Sequence, residues 1–233
     1  MDTTLAGRHV VITGGTGALG SAVVGALLAR GASCHVPVFD RKELERFPFA
    51  EHPAVKLVGG VDLRDEQAVM AYYASVPPIW ASVQLAGGFS MSPLVATSLG
   101  DFERLFTMNV HTCFLACREA VRSMRKGPGG GRLVNVAARP ALVPTAGMAA
   151  YAASKAAVAS LTTSLSEELA PEGIWVNAVV PSTMDTPANR ASMPNADFDR
   201  WPKVDQVAST IAYLASTENG CTRGALVTVY GRS

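Results

Sequence analysis

The stretch His9-Val-Val-Ile-Thr-Gly-Gly-Thr-Gly-Ala-Leu-Gly20 joins an apolar, β-branched run to a glycine-rich turn, and Val23, Val24, Leu27 and Leu28 follow at helical spacing. Strand, glycine turn and helix in that order put the free amides of a helix N-terminus where they can bind a pyrophosphate, and the glycines let the backbone come close to it. The same pattern also serves as a tight turn that holds no ligand. Its setting in a βαβ unit favours a dinucleotide, with Gly14, Thr16, Gly17, Leu19 and Gly20 as the binding turn.

Downstream the pattern repeats. Gly31 ends the first helix, residues 32–39 read as a second strand, and the chain turns at Asp40-Arg41-Lys42. An acid here would hydrogen-bond the adenosine ribose, whereas a basic residue would favour a 2′-phosphate. Both kinds of residue are present, and the usual place of the acid falls nearer Val38, so NADH and NADPH both remain open. Residues 43–54, with Pro48 and Pro53, read as an irregular connection. Strands follow at 55–61 and 79–85, separated by a helix over 65–75. The strand ends carry Asp62-Leu63 and Ala86-Gly87, which places these residues at the rim of a shared ligand site.

The spacing of Phe102, Leu105, Phe106, Val110, Phe114, Leu115 and Val121 predicts one helix over 99–125, in which Asn109 has poor propensity and is either functional or simply exposed. A strand at 132–136, a long helix at 149–169, a strand at 175–180, a helix at 204–215 and a strand at 226–230 complete an alternating pattern. That pattern predicts an α/β, doubly wound parallel sheet of Rossmann type, with helices on both faces and a single domain over 1–233. Residues 182–202, with Pro187, Pro194 and Pro202, read as a flap over the substrate. Met184, Met193, Phe198 and Trp201 either line an apolar pocket there or pack a short helical excursion.

Tyr151-Ala-Ala-Ser-Lys155 lies in the long helix. Positions i and i+4 share a face, so the phenol and the ammonium can address one pocket, and a nearby cation lowers the pKa of a phenol that ordinarily titrates near 10. By itself the pair is one amphipathic turn. Beside a dinucleotide turn it is a proton donor.

Composition narrows the partners. The chain has 233 residues, is 48% hydrophobic and 17% charged, and carries a net charge of +1. It offers no basic field for nucleic acid and no apolar run of the roughly 20 residues that a membrane helix requires. A small-molecule substrate is the expected partner. The start of the chain has none of the sections of a signal peptide, which predicts a cytoplasmic protein. Cys34, Cys113, Cys117 and Cys221 and the four histidines are scattered without ligand spacing, so no metal is assigned.

Six pieces in order, Thr13-Gly14…Gly20, Asp62-Leu63, Ala86-Gly87, Asn109-Val110, Tyr151-x-x-x-Lys155 and Val176-Asn177-Ala178…Pro181-Ser-Thr183, resemble the short-chain dehydrogenase/reductase family over nearly the whole length. The resemblance implies an NAD(P)(H)-dependent oxidoreductase with Tyr151 as acid or base. It also implies that Lys155 holds the nicotinamide ribose and that Asn109 binds a relay water, with Pro181 and Thr183 at the cofactor. In the family, helices equivalent to 99–125 and 151–169 pair between subunits, implying a homodimer or homotetramer.

Two positions depart from the family pattern. Ala18 stands where a glycine is usual, with Gly17 one residue earlier, and Ala138 stands where a catalytic serine is usual, thirteen residues before the tyrosine. Both departures are similar to the dihydropteridine reductase subgroup, as are Thr145-Ala-Gly-Met148 and the segment from Asp185 to Trp201. The expected reaction is hydride transfer to a carbonyl or a conjugated imine such as a quinonoid dihydropterin, with Thr145 and Arg139 the nearest polar residues to replace the serine. The alternative is a nicotinamide-binding module without turnover, Ala138 marking the loss.

Overall fold

A computed structural model describes residues 4–233; the first three residues, part of the N-terminal stretch from which localisation was read, lie outside the described residues. The elements in order are β1 (His9–Thr13), α1 (Ala18–Leu28), β2 (Ser33–Val38), β3 (Val55–Gly59), α2 (Glu66–Ser75), β4 (Ala81–Gln84), α3 (Leu99–Phe106) and α4 (Thr112–Met124). They continue with β5 (Gly131–Val136), α5 (Ala149–Leu169), β6 (Ile174–Pro181), α6 (Pro187–Ser192), α7 (Val204–Ala215) and β7 (Leu226–Val229). The strands form one parallel sheet in the order β3-β2-β1-β4-β5-β6-β7. The doubly wound reading of the sequence therefore holds.

Successive side chains of a strand point to opposite faces, and the apolar strands feed two cores accordingly. Val10 and Ile12 pack with Val23, Val24 and Leu27 of α1 and with Val207, Ile211 and Leu214 of α7. Val11, between them, joins Tyr72 and Tyr73 of α2, Cys113 and Cys117 of α4 and Val158 of α5 on the other face. Burial thus explains three of the four cysteines as packing groups, since Cys34 lies in the first core. None of the described helices is long and apolar enough to cross a membrane.

The order reverses between β1 and β4, since the chain winds outward to β3 and then returns to the other side of β1. In an open parallel sheet, that reversal leaves a crevice beyond the carboxyl ends of the strands. The glycine turn after β1 and the residues after β4 meet there. Gly14 has a left-handed φ of 65°, and a Cβ on it would lie 2.8 Å from the amide nitrogen of Ala86. Gly20, in the first turn of α1, admits no Cβ at all, because one would strike the carbonyl oxygen of Gly14.

At four places the structure departs from the sequence reading or decides between its alternatives. The helix expected over 99–125 is broken into α3 and α4 by a wide turn at Thr107–His111, where the amide of Thr112 reaches back five residues to the carbonyl of Thr107. Asn109 sits in that turn and is 1% exposed, so its poor propensity does not mark a solvent position. The connection at 43–54 begins with one ordered 3-10 turn, Arg41–Arg46, capped by the Asp40 side chain. The region 182–202 contains α6 and a further 3-10 turn, Phe198–Arg200, the short helical excursion that the sequence offered as one alternative.

Gly20→Ala should overpack the β1–α1 junction and cost about 1–3 kcal/mol. Thermal unfolding followed by circular dichroism should show a lowered Tm, and an unchanged Tm would mean that the turn is looser than described.

Candidate active site

The turn after β1 presents an anion cradle. Gly17 is the N-cap of α1 and has no side chain to satisfy the helix amides, and no acidic residue lies in the first turn. A Cβ at Gly17 would meet only the Gly14 carbonyl at 3.5 Å, so the space above it is open. Ala18 is the first helical residue and points to solvent, which accounts for the displaced glycine: the open position belongs to the N-cap. These residues fit a dinucleotide pyrophosphate, whose charge the helix N-terminus would favour.

Around this cradle, Leu19 is half-buried against the first core and Leu63 against the second. Asp62 is held by Arg64, whose guanidinium donates to both carboxylate oxygens, with Nε–Oδ1 at 2.9 Å and Nη2–Oδ2 at 2.8 Å. That side-chain bond holds the Asp62 carboxyl below its usual range. Thr16 donates its hydroxyl to Glu43 at 2.6 Å. Pro181 ends β6 and is buried, while Thr183 just beyond it is exposed.

Residues from β4, the wide turn and α5 converge at the centre. The Asn109 side-chain carbonyl accepts from the amide of Gly88 at 2.9 Å. Its amide group donates to the Gly88 carbonyl at 3.0 Å and to Ser154 Oγ at 3.0 Å. Ser154 in turn donates to the Tyr151 carbonyl at 2.8 Å. Lys155 is buried and donates from Nζ to the Val136 carbonyl at the end of β5, at 2.9 Å. A Cβ on Gly87 would lie 2.5 Å from Asn109 Oδ1 and 3.5 Å from Lys155 Nζ, so only glycine leaves that spot open. The structure therefore brings Gly87, Asn109 and Lys155 together and ties the Tyr151 carbonyl to Asn109 through Ser154.

The electrostatics differ from the expectation. No hydrogen bond joins Tyr151 to Lys155 among the described residues. Burial pushes the Tyr151 phenol up to about 12, and the lysine does not pull it down. Burial also lowers Lys155 to about 8. The helix does place the two on one side, but the long lysine chain runs to the strand ends and finds a carbonyl there. Desolvation then governs both groups.

Tyr151 borders a cleft enclosing about 350 Å³ including its mouth, with Ser90, Ser92, Asp101, Gly147 and Met148 on its walls. The Phe89 ring stands edge-on to the Tyr151 ring at 4.9 Å between centroids and is 59% exposed. Ala138 is buried and offers no hydroxyl. Neither suggested replacement supplies one: Thr145 donates to the Val143 carbonyl at 3.1 Å, and the Arg139 guanidinium lies 5.3 Å over the Tyr230 ring. The flap residues also resolve. Trp201 is buried, Met184 packs on the first core, and Phe198 tilts against Trp201 at 5.0 Å, so packing rather than a pocket explains these three. Asp185 anchors the segment between Arg190 and Lys203.

Three residues escaped the sequence reading. Ser154 lies inside the quoted Tyr-to-Lys stretch, and its position three residues after Tyr151 was the available signal. Phe89 lies two residues after the quoted Ala86-Gly87. Glu43 lies in a segment that read as irregular, and nothing in its spacing pointed at Thr16.

Comparison with known proteins agrees with this fold. The family model described as short chain dehydrogenase matches residues 8–197. A cyclic-di-GMP-binding biofilm dispersal mediator protein of Escherichia coli is 31% identical over 233 residues, covering 97% of this chain and 96% of the relative. The L-xylulose reductase of Bos taurus is 29% identical, covering 99% and 98%. A solved short-chain dehydrogenase/reductase from Serratia marcescens superposes with a TM-score of 0.86 at 29% identity, covering 99% of each chain.

Because a buried ammonium gives up its proton sooner in the folded chain than in the unfolded one, Lys155 opposes folding below about pH 8 and ceases to do so as pH rises toward the unfolded value. Measured as Tm against pH, the advantage of Lys155→Met over the wild type should shrink between about pH 8 and 10. A difference independent of pH would contradict the burial of the charge.

Proposed function

The chain belongs to the short-chain dehydrogenase family, whose members are NAD(P)-dependent oxidoreductases, and we propose that it works as a reductase with Tyr151 as proton donor to a conjugated, electron-poor substrate. The observation that carries this reading is the convergence of Gly87, Asn109 and Lys155 beside the Tyr151 turn, at the crevice where the strand order reverses. Bound there, the nicotinamide cofactor supplies a hydride.

The residues of the chain do the rest. A phenol raised to about 12 keeps its proton at neutrality and can still donate to the far stronger base created as a carbonyl or imine accepts hydride. Lys155 remains largely charged at pH 7 and directs its ammonium toward the space that Gly87 leaves open, where a ribose hydroxyl or a relay water would sit. The Asn109 side chain is spent on Gly88 and Ser154, so its part is to hold the walls of that space, with one acceptor site of Oδ1 left for water. Gly14, Thr16, Gly17, Leu19 and Gly20 would hold the pyrophosphate and Asp62-Leu63 the adenine side, with Ala86, Pro181 and Thr183 toward the nicotinamide.

Ala138 bears on the substrate. A donor lost from a site built for it costs about 10²–10³ in rate, which weighs against an ordinary ketone. An acceptor whose conjugated ring spreads the incoming charge depends less on a second donor. The exposed Phe89 ring beside Tyr151 also suits a flat partner. A quinonoid dihydropterin has this chemistry, and the likeness of residues 185–201 to the dihydropteridine reductase subgroup points the same way. The segment at 182–202, anchored by Asp185, would close over such a substrate. The exposed rings of Phe102 and Phe114 on α3 and α4 support pairing of these helices in a homodimer or homotetramer.

Cofactor oxidation by the purified protein, screened against ketones, imines and quinonoid dihydropterin, tests the reading. Tyr151→Phe should lower kcat by about 10²–10⁴ for any substrate turned over. Unchanged turnover would remove Tyr151 from the chemistry. In the reverse direction the phenolate is the required form, so alcohol or amine oxidation should rise by about tenfold per pH unit from pH 7 to 9 while reduction stays nearly flat. Oxidation that is already maximal at pH 7 would contradict the raised phenol.

A further inference from the structure

At the end of the sheet opposite the crevice, four large side chains lie abreast. Arg8 precedes β1, Trp80 precedes β4, Arg132 is the second residue of β5 and Trp175 the second of β6, and these strands are neighbours in the order β1-β4-β5-β6. The backbone fixes their alignment. The Trp80 amide donates to the His9 carbonyl at 2.8 Å, the Arg132 amide donates to the Trp80 carbonyl at 3.0 Å, and Arg132 and Trp175 pair in register. The row alternates cation and ring: the Arg8 guanidinium lies 4.3 Å from the Trp80 ring centre, and that of Arg132 lies 4.7 Å from the same ring and 5.7 Å from Trp175.

Among the described residues, neither guanidinium has a carboxylate partner. Arg132 is 6% exposed and gives Nη1 to the Gly131 carbonyl at 2.7 Å and Nη2 to the Asn219 carbonyl at 2.5 Å, while its Nε finds no partner. Burial and the Arg8 charge lower it to about 10. Arg8 is half-buried and donates to no acceptor among the described residues, so its five N–H groups are unspent. Arginines withdrawn from water are ordinarily paired. Two like charges side by side without a counter-charge set up a potential that favours an anion.

The row also has a space at its Arg8 end. A cleft enclosing about 430 Å³ including its mouth opens there, and its walls include Arg8, Gly7, His9, Gly129 and Gly130. Gly7 and Gly129 have left-handed φ of 69° and 96°, and a Cβ on either would meet nothing within 4 Å. The amides of Gly129 and Gly130 donate to no backbone carbonyl among the described residues. A guanidinium and backbone amides are donors alone, and a phosphate brings acceptors alone.

We propose that this cleft binds a phosphate group, held by the fork of the Arg8 guanidinium and by the amides of Gly129 and Gly130. It lies at the opposite end of the strands from the dinucleotide crevice and does not depend on the reaction proposed above.

Calorimetric titration of inorganic phosphate tests the site in a Gly17→Asp background, where a carboxylate blocks the other anion cradle. Phosphate should still bind there, and adding Arg8→Gln, with circular dichroism unchanged, should weaken it by at least about tenfold. Arg8→Lys, which keeps the charge and loses the fork, should weaken it less. Binding to the wild type that vanishes in Gly17→Asp would assign the phosphate to the cradle and overturn the proposal, and so would an affinity unaltered by Arg8→Gln. Phenyl phosphate binding more tightly than inorganic phosphate would support an ester as the source of the group, and the reverse would support the free ion. Nuclear magnetic resonance of the unaltered protein gives a check that no substitution can disturb: phosphate should shift the amide signals of Gly129 and Gly130, and shifts confined to Gly17 and Ala18 would contradict the site.

Discussion

The amide of Asn109 ties together the three parts of the chain on which the site depends. One side chain, 1% exposed, pairs with both backbone groups of Gly88 beyond β4 and with the hydroxyl of Ser154 on α5. Buried groups this fully satisfied hold a unique geometry, and leaving any partner unmet costs about 1–3 kcal/mol. The wide turn between α3 and α4 is the local departure that carries Asn109 to this junction. A regular helix through 107–111 would have set its side chains on a different face. Position along the sheet does the rest, because β4 flanks the point where strand order reverses.

Burial then sets the chemistry of the two ionisable groups beside that junction. Tyr151 and Lys155 move in opposite directions, the phenol to about 12 and the ammonium to about 8, each away from its charged form. The pair is thus not a preformed phenolate and cation. It is a protonated acid next to a cation that is easily discharged, an arrangement suited to giving a proton rather than taking one. On the proposed reading, the same reasoning would reach the substrate: with Ala138 in place of a hydroxyl, one donor would serve the reacting atom, and conjugation in the acceptor would lessen the need for a second.

Much of the fold was legible because its signals are local. The apolar run at His9–Thr13, the glycines after it and the alternation of strands and helices follow from backbone sterics and from burial on both faces of a parallel sheet. Tyr151 and Lys155 were found for the same reason, since four residues on a helix settle which face they share. The missed features are contacts between distant segments. Asn109 stood between a functional and an exposed position because the partner that decides it, Gly88, lies 21 residues away, and Glu43 looked like loop because its partner Thr16 lies 27 residues back. The direction of the Tyr151 shift was misjudged for a related reason: spacing shows that two side chains share a face, but not where a flexible lysine ends, and Lys155 ends on Val136.

A crystal structure of the protein with a bound nicotinamide dinucleotide would test the central claim most directly. The account predicts the pyrophosphate over Gly17 and the first amides of α1, Lys155 Nζ within hydrogen-bonding distance of the nicotinamide ribose, and the Tyr151 hydroxyl beside the reactive face of the nicotinamide ring. A dinucleotide lodged elsewhere on the surface, or a nicotinamide ring separated from Tyr151 by protein, would contradict it.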